Sequence, residues 1–188
     1  MSLKPTIHKF QIDLADMNRE VYQSLSLTVA RHPSETAERM LVRVLAWCLN
    51  TQEGLSFGRG LSTAEDADVW VHSLHGSIRL WIEVGEPLVE RIKKATRQAE
   101  EVKVYSFNSK AGVWWTQNQA ELASLDAAII QIDWAGVQNF AGLLERTMEL
   151  SISISGETAW ISSPRGNCEI TWAVMQQGQA SKQGPMHY

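Results

Sequence analysis

Two β-rich runs decide the fold: Asp66-Ala67-Asp68-Val69-Trp70-Val71-His72-Ser73 and, shortly after, Ile78-Arg79-Leu80-Trp81-Ile82-Glu83-Val84-Gly85-Glu86-Pro87. A short link that contains Gly76 joins them, which predicts a β-hairpin. Antiparallel pairing places the start of the first strand beside the end of the second. We therefore expect Asp68 and Glu83 to meet at one end of the sheet.

A pair of carboxylates at the end of a sheet, with a lysine near them, can hold Mg²⁺ because this hard cation prefers oxygen ligands. The spacing therefore predicts a divalent metal site in which Asp68 and Glu83 bind Mg²⁺ or Mn²⁺. The alternative is an acidic turn beside a solvated helix face, which the same residues and spacing also allow.

An amphipathic helix is predicted directly after the hairpin, at about residues 88–99. Arg91, Lys94 and Gln98 border its apolar stripe, while Lys93 points away from it. A side chain that borders the buried face can bend over the end of the sheet. Arg91 and Lys94 are therefore the candidates to reach the two carboxylates.

Earlier in the chain, residues 6–14 and 21–30 alternate polar and apolar side chains around a polar link. This period of two predicts a strand pair with one face in a core. A helix is then predicted to start at Pro33-Ser34-Glu35, with Ser34 as its cap. Glu38, in its first turn, is a candidate accessory ligand for the metal.

The segment from Gly54 to Ser62 contains three glycines. It lacks the phosphate-loop consensus and no strand leads into it, so we interpret it as a loop positioned over a site rather than a nucleotide cradle. Arg59 lies between two of these glycines and can reach either a phosphate or solvent.

The strand that follows the amphipathic helix, residues 101–107, is expected to pair in parallel with the second hairpin strand. Residues 112–118 are predicted as a short edge strand whose paired tryptophans either cover the core or form a stacking surface. The remaining predicted elements are a buried strand at 127–132, a helix at 134–148 and three short β runs at 150–154, 158–161 and 168–174.

Length and composition describe an ordinary globular protein. The chain has 188 residues, of which 44% are hydrophobic and 20% charged. We found no internal repeat or linker, so residues 1–175 are predicted as one domain and residues 176–188 as a flexible tail. The net charge of −4 gives no global field that would attract nucleic acid, so any such binding depends on a local basic patch.

The compartment is predicted from what the sequence lacks. The two cysteines have no metal-ligand spacing, and free buried thiols in a reducing compartment are the simplest interpretation. No apolar run is long enough to span a membrane, and the N-terminus lacks the apolar core of a signal peptide. A cytoplasmic protein without a membrane partner is therefore expected.

Several stretches of the chain carry a family resemblance. They are His32-Pro33-Ser34-Glu35-Thr36 with Glu38-Arg39-Met40, the glycine loop from Gly54 to Ser62, Glu65-Asp66-Ala67-Asp68-Val69-Trp70, Trp81-Ile82-Glu83-Val84-Gly85, and Arg91-Ile92-Lys93-Lys94-Ala95 with Val104-Tyr105. Together they resemble the YaeQ family of bacterial proteins. The resemblance implies a compact variation of the PD-(D/E)XK nuclease fold, so the expected class is a single α/β domain with a mixed sheet flanked by helices and a restriction-endonuclease-like core.

In that superfamily a strand-borne aspartate and a (D/E)xK strand bind a divalent metal, and the lysine helps to activate water. By resemblance, Asp68 takes the first acidic position and Glu83 the second. The chain departs from the motif at the lysine position, where it has Gly85. Lys94, or alternatively Arg91, stands on the following helix where a relocated lysine could act.

These features lead to competing functions. The first is a Mg²⁺-dependent phosphodiesterase in which Asp68, Glu83 and Lys94 are the catalytic residues. The second is a non-catalytic module that holds nucleic acid, or a protein of the transcription machinery, through Arg59 and Arg91 with Lys94 and Gln98 beside them. A small-molecule enzyme that reuses the carboxylate pair is a third.

The missing motif lysine and the acidic net charge favour the module slightly over the phosphodiesterase. The opposing argument is that two ionised carboxylates repel each other unless a cation or a base compensates their charge. The oligomeric state is left open by the sequence.

Overall fold

A mixed β-sheet of ten strands organises the part of the chain that the computed structural model describes, residues 3–179. The strands are β1 (Thr6–Asp16), β2 (Val21–Arg31), β3 (Leu55–Phe57), β4 (Val69–His72), β5 (Ile78–Val84), β6 (Ala99–Ser106), β7 (Ala128–Ile132), β8 (Thr147–Ser155), β9 (Thr158–Ser163) and β10 (Gly166–Gln176). The helices are α1 (Ala37–Leu49), α2 (Val89–Gln98), α3 (Ala111–Leu122) and α4 (Trp134–Ala141).

Along the sheet the strand order is β2-β1-β8-β9-β10-β7-β6-β5-β4-β3. Strand β10 joins the two halves, because its first part pairs with β9 and its last part with β7. The pairs β1–β8, β5–β6 and β6–β7 are parallel, and the others are antiparallel. The predicted α/β domain with a mixed sheet flanked by helices is therefore confirmed.

Apolar alternation accounts for the strands near the N-terminus. Strands β1 and β2 pair antiparallel along their whole lengths, and Phe10, Ile12 and Leu14 of β1 are buried while the residues between them face outward. The predicted strand pair is confirmed, as is the parallel β5–α2–β6 unit. Helix α1 packs in the main core, whereas Ile92 and Ala95 of α2 join a second core cluster on the other side of the β5–β7 strands.

The prediction of an edge strand at residues 112–118 is wrong, since these residues lie in helix α3. Trp114 and Trp115 are half-buried against the second core cluster, and the Trp114 Nε1–H donates to the Pro87 carbonyl at 3.0 Å. The tryptophans do cover part of the core, as one of the two predicted roles required. A short apolar run fits either a strand or a helix, and its packing next to α2 favours the helix.

Two predicted helix boundaries also need correction. Helix α1 begins after Thr36, whose hydroxyl accepts from the Arg39 N–H at 3.1 Å, and not at Pro33 with Ser34 as its cap. Helix α4 ends at Ala141, so the second half of the helix predicted at 134–148 is a connection followed by β8. In β8, Met148 pairs with Phe10 of β1. This parallel pairing overrides the helical spacing of the apolar residues in the segment 134–148.

Gln176, where the predicted tail begins, is the last residue of β10, and its side-chain amide donates to the Ala127 carbonyl at 2.9 Å. Residues 180–188 lie outside the described part of the chain.

Neither Cys48, which is buried, nor Cys168, which is half-buried, is in a disulfide. Burial raises the pKa of the Cys48 thiol to about 12.

No helix within residues 3–179 has both the length and the apolar character that crossing a bilayer requires.

Candidate functional site

Asp68 and Glu83 meet at one end of the β4–β5 hairpin. The strands pair with Val69 opposite Ile82, and the Asp68 N–H donates to the Ile82 carbonyl at 3.1 Å. This register places Asp68 opposite Glu83, and both line one pocket of about 220 Å³, called the carboxylate pocket below. Its other lining residues are Arg39, Gly60, Leu61, Thr63, Ala64, Asp66 and Arg91.

Both carboxylate oxygens of Asp68 accept hydrogen bonds. Oδ1 accepts from Arg39 Nη2 at 2.7 Å, and Oδ2 accepts from the Val84 backbone N–H at 2.8 Å. Charged partners and backbone donors make strong hydrogen bonds with an ionised carboxylate. A cation that approached Asp68 would therefore compete with a guanidinium group and with the backbone of β5.

Glu83 is buried on the face of the sheet that also carries Trp81. Its Oε1 accepts from Trp81 Nε1 at 2.8 Å and pairs with Arg91 Nη2 at 2.9 Å. Burial raises the pKa of Glu83 above its ordinary value of 4.5, and the charge of Asp68 acts in the same direction. The bonds from Arg91 and Trp81 oppose this increase without cancelling it.

The raised pKa of Glu83 predicts a pH-dependent contribution to stability. A carboxyl whose pKa is higher in the folded state stabilises the fold below its unfolded value of 4.5, and this contribution is lost as the pH rises through the folded pKa. Relative to a Glu83→Gln variant, the wild-type free energy of unfolding should therefore fall with rising pH. Urea denaturation of both proteins between about pH 4 and pH 8 measures the difference. A difference that grew with pH would mean that Arg91 outweighs burial.

A network of arginines on helix α1 surrounds the carboxylates. Arg39 bridges Glu35 (2.6 Å) and Asp68 (2.7 Å), and Arg43 pairs with the other oxygen of Glu35 at 2.5 Å. Together with the Arg91–Glu83 pair, three guanidinium groups face three carboxylates, so the formal charges of the network cancel. The repulsion expected between Asp68 and Glu83 is thus compensated by arginines.

Sequence reasoning missed Arg39 and Arg43 as members of this site. The available signal was the spacing of Glu35, Arg39 and Arg43, which stand four residues apart, the spacing that places side chains on one side of a helix. Sequence reasoning instead singled out Glu38 as an accessory ligand, but it is the next residue, Arg39, that contacts Asp68.

Arg91, and not Lys94, is the residue of α2 that contacts Glu83. Its guanidinium also donates to the backbone carbonyls of Ala64 (2.5 Å) and Asp66 (2.9 Å). Lys94 is exposed and lines a neighbouring cleft of about 330 Å³ with Gln98, next to Trp81. Arg91 lines both this cleft and the carboxylate pocket, whereas Lys94 lines only the cleft. The contact with Glu83 that was expected of Lys94 is made by Arg91.

The segment predicted as a glycine loop contains strand β3 at Leu55–Phe57, and Arg59 holds the loop after this strand to the segment before β4. Its Nε and Nη2 donate to the two oxygens of Asp66 at 2.9 and 3.0 Å, and its backbone N–H donates to Asp66 at 2.8 Å. These bonds from Arg59 lower the pKa of Asp66. The Arg59 side chain is still 75% exposed, so it fixes the loop while presenting part of its charge to solvent.

The backbone at Gly85 explains why the chain lacks a lysine there. Gly85 has φ +113, a left-handed value that residues with a Cβ rarely adopt, and its N–H donates to the Tyr105 carbonyl at 2.8 Å. A lysine at this position would carry backbone strain of roughly 1–3 kcal/mol. The motif lysine is therefore disfavoured at this turn.

The predicted metal ion fits this donor set poorly. Within residues 3–179 no group of three or more histidine, cysteine, aspartate or glutamate side chains is arranged to hold a metal. Asp68 and Glu83 do lie together, but arginines neutralise both of them. The Mg²⁺ or Mn²⁺ site at this pair stays a prediction.

The fold and site define an α/β protein with a mixed sheet, whose hairpin carries a buried carboxylate pair next to a basic helix. A family model described as YaeQ protein matches residues 1–172. The chain belongs to the YaeQ family, which confirms the resemblance seen in the sequence.

Relatives match almost from end to end. "Uncharacterized protein YaeQ" of Salmonella typhi is 40% identical over 94% of this chain and 99% of its own, and the protein of the same name from Escherichia coli (strain K12) is 39% identical with the same coverage. The crystal structure of YaeQ protein from Xanthomonas axonopodis pv. citri aligns with a TM-score of 0.89 at 31% identity, covering 92% of this chain and 99% of that chain. The structure of YaeQ protein from Pseudomonas syringae gives 0.87 at 33% identity, covering 92% and 96%.

Proposed function

We propose that this protein is a non-catalytic nucleic-acid-binding module of the cytoplasm that keeps a PD-(D/E)XK-type core. The observation that carries the proposal is the pairing of both motif carboxylates with arginines, Asp68 with Arg39 and Glu83 with Arg91. A site whose carboxylates are already neutralised offers a metal ion little attraction, while the exposed cations beside it can still meet a phosphate backbone.

The local charge of α2 supports this proposal. The helix contains four basic residues and one acidic residue, although the whole chain has a net charge of −4. Arg91, Lys94 and Gln98 line the cleft next to the carboxylate pocket, where Glu65 and Glu90 also lie, and Arg59 presents its charge from the glycine loop. A basic patch on an acidic protein can bind phosphates locally without a global field.

The two carboxylates lie on the β4–β5 hairpin, directly before the parallel β5–α2–β6 unit, and this placement supports the proposed core. The family resemblance assigns this arrangement to the PD-(D/E)XK superfamily. A shared fold does not carry the chemistry with it, because activity depends on the side chains of the site. Here the lysine position is a glycine with a left-handed backbone.

A Mg²⁺-dependent phosphodiesterase is the second candidate function. The observation that favours it is the shared pocket of Asp68 and Glu83, which lies next to the cleft of Lys94. For this function Arg91 or Arg39 has to move away from its carboxylate so that a metal ion can bind there.

The binding function predicts measurable affinity in EDTA. Fluorescence anisotropy with labelled single-stranded DNA, double-stranded DNA and RNA should detect binding that weakens as salt is raised. Lys94→Ala should weaken binding several-fold and lower the salt slope by about 1, as expected for one lost phosphate contact. Lys93→Ala is the matched control on the same helix and should have little effect.

Two results would decide against this function. If wild type binds none of the three nucleic acids, the site does not hold a phosphate backbone, and a protein of the transcription machinery becomes the partner to test. If the same substrates are cut in Mg²⁺ or Mn²⁺, and Asp68→Ala abolishes the cut, the protein is the phosphodiesterase of the second candidate.

A further inference from the structure

Arg91 occupies a position with several oxygen acceptors around it. Its guanidinium lies 2.9 Å from Glu83 Oε1, 2.9 Å from the Asp66 carbonyl and 2.5 Å from the Ala64 carbonyl. It also lies 5.9 Å from the ring centre of Trp81. One cation thus joins a buried carboxylate of β5 to the backbone of the segment before β4.

The same acceptors are those that a hard divalent cation uses. Mg²⁺, Mn²⁺ and Ca²⁺ bind carboxylate oxygens and backbone carbonyls, and here one carboxylate and two carbonyls surround one guanidinium group. The second carboxylate, Asp68, lines the same pocket. What excludes a metal is the guanidinium already there.

Charge leads to the same conclusion. With Arg91 present, the network of Glu35, Asp68 and Glu83 is balanced by three arginines. Without Arg91 the network has one uncompensated negative charge, and Glu83 keeps only the Trp81 Nε1–H as a donor among the contacts described for it. A buried carboxylate without a counter-ion is costly, so Glu83 would take up either a proton or a divalent cation.

We infer that Arg91 is a built-in replacement for the metal ion, and that it covers a latent divalent-cation site formed by Asp68, Glu83 and the carbonyls of Ala64 and Asp66. The natural protein therefore binds no Mg²⁺ or Mn²⁺ at its carboxylate pair. Replacing Arg91 by a neutral residue should convert the pocket into a metal site. This goes beyond nucleic-acid binding, and its test uses no nucleic acid.

The test is Mn²⁺ titration followed by calorimetry. Wild type should give only the heats of buffer dilution, while Arg91→Gln should give a saturable isotherm whose Kd lies at least ~10-fold below the highest Mn²⁺ concentration used, a margin of about 1.4 kcal/mol. Adding Glu83→Gln to Arg91→Gln should remove the new binding. Arg97→Gln, which changes an exposed arginine of the same helix, is the matched control and should behave as wild type.

Stability gives a second readout. Arg91→Gln should melt at a lower temperature than wild type in EDTA and recover on addition of Mn²⁺, whereas the wild-type melting temperature should be the same in both. The inference is overturned if Arg91→Gln folds but binds Mn²⁺ no better than wild type. If Arg91→Gln does not fold, Mn²⁺ titration of wild type still tests the inference. Wild-type Mn²⁺ binding that Glu83→Gln abolishes overturns it. No Mn²⁺ binding by wild type supports the exclusion of the metal.

Discussion

Glu35→Gln lowers the free energy of unfolding by about 3–5 kcal/mol, which corresponds to a drop in Tm of roughly 10 °C for a chain of this size. The Glu35 side chain is 1% exposed and binds both Arg39 and Arg43, and the Arg43 side chain is itself only 4% exposed. The amide keeps the shape of the glutamate but removes its charge. The substitution therefore leaves a buried guanidinium without its counter-ion, which costs more than the intact pair contributes.

Thermal and urea denaturation of wild type and Glu35→Gln measure this loss. Glu38→Gln is the matched control, because Glu38 lies three residues after Glu35, in the first turn of α1, and acts mainly on the helix dipole. It should cost at most about 1 kcal/mol. If Glu35→Gln cost no more than the control, Arg43 would have to find another counter-charge or reach solvent, and the network would not be the stabilising element we describe.

The second large effect is expected at Gly58, where alanine should destabilise the fold by about 3 kcal/mol or more. A Cβ at this position would lie 1.9 Å from the Ala67 carbonyl oxygen, which belongs to the backbone and cannot rotate away. The Gly58 N–H also donates to the Asp68 carbonyl at 3.1 Å. Relief of the clash would thus push the glycine loop away from the residue that carries the site.

Gly112→Ala is the control for this prediction. It lies in α3, and the nearest atom to its added Cβ is Gln131 Nε2 at 3.9 Å. Alanine should therefore fit there and stabilise the protein by about 0.4–1 kcal/mol through the unfolded state. Equal melting temperatures for Gly58→Ala and wild type would show that the loop tolerates the side chain, contrary to the close approach that we describe.

Both substitutions act on the residues around Asp68, from opposite sides. Glu35 fixes Arg39, which binds Asp68, and Gly58 lets the loop run next to the Asp68 backbone. The carboxylate pocket is therefore held by ion pairs and by close backbone packing.

Local sequence patterns determined much of the fold. Period-two alternation gave the β1–β2 pair, and the strand–helix–strand succession gave the parallel β5–α2–β6 unit. The meeting of Asp68 and Glu83 also followed from the sequence, because an antiparallel hairpin with a short link fixes which residues lie opposite each other. These features depend on neighbours that are close along the chain.

Other features required the tertiary structure. The short apolar run with Trp114 and Trp115 is compatible with strand or helix, and its packing beside α2 decides for the helix. Arg39 lies 29 residues from Asp68 in sequence, so their contact exists only because α1 packs next to the hairpin.

The choice between Arg91 and Lys94 shows most clearly what the sequence determined and what the tertiary structure decided. The sequence determined that a basic helix follows the carboxylate hairpin, and that both cations border its buried stripe. Only the folded backbone decided which one reaches Glu83, because the carbonyls of Ala64 and Asp66 capture the guanidinium of Arg91. Contacts with backbone carbonyls depend on where a loop runs in space, and side-chain spacing along the sequence does not contain that information.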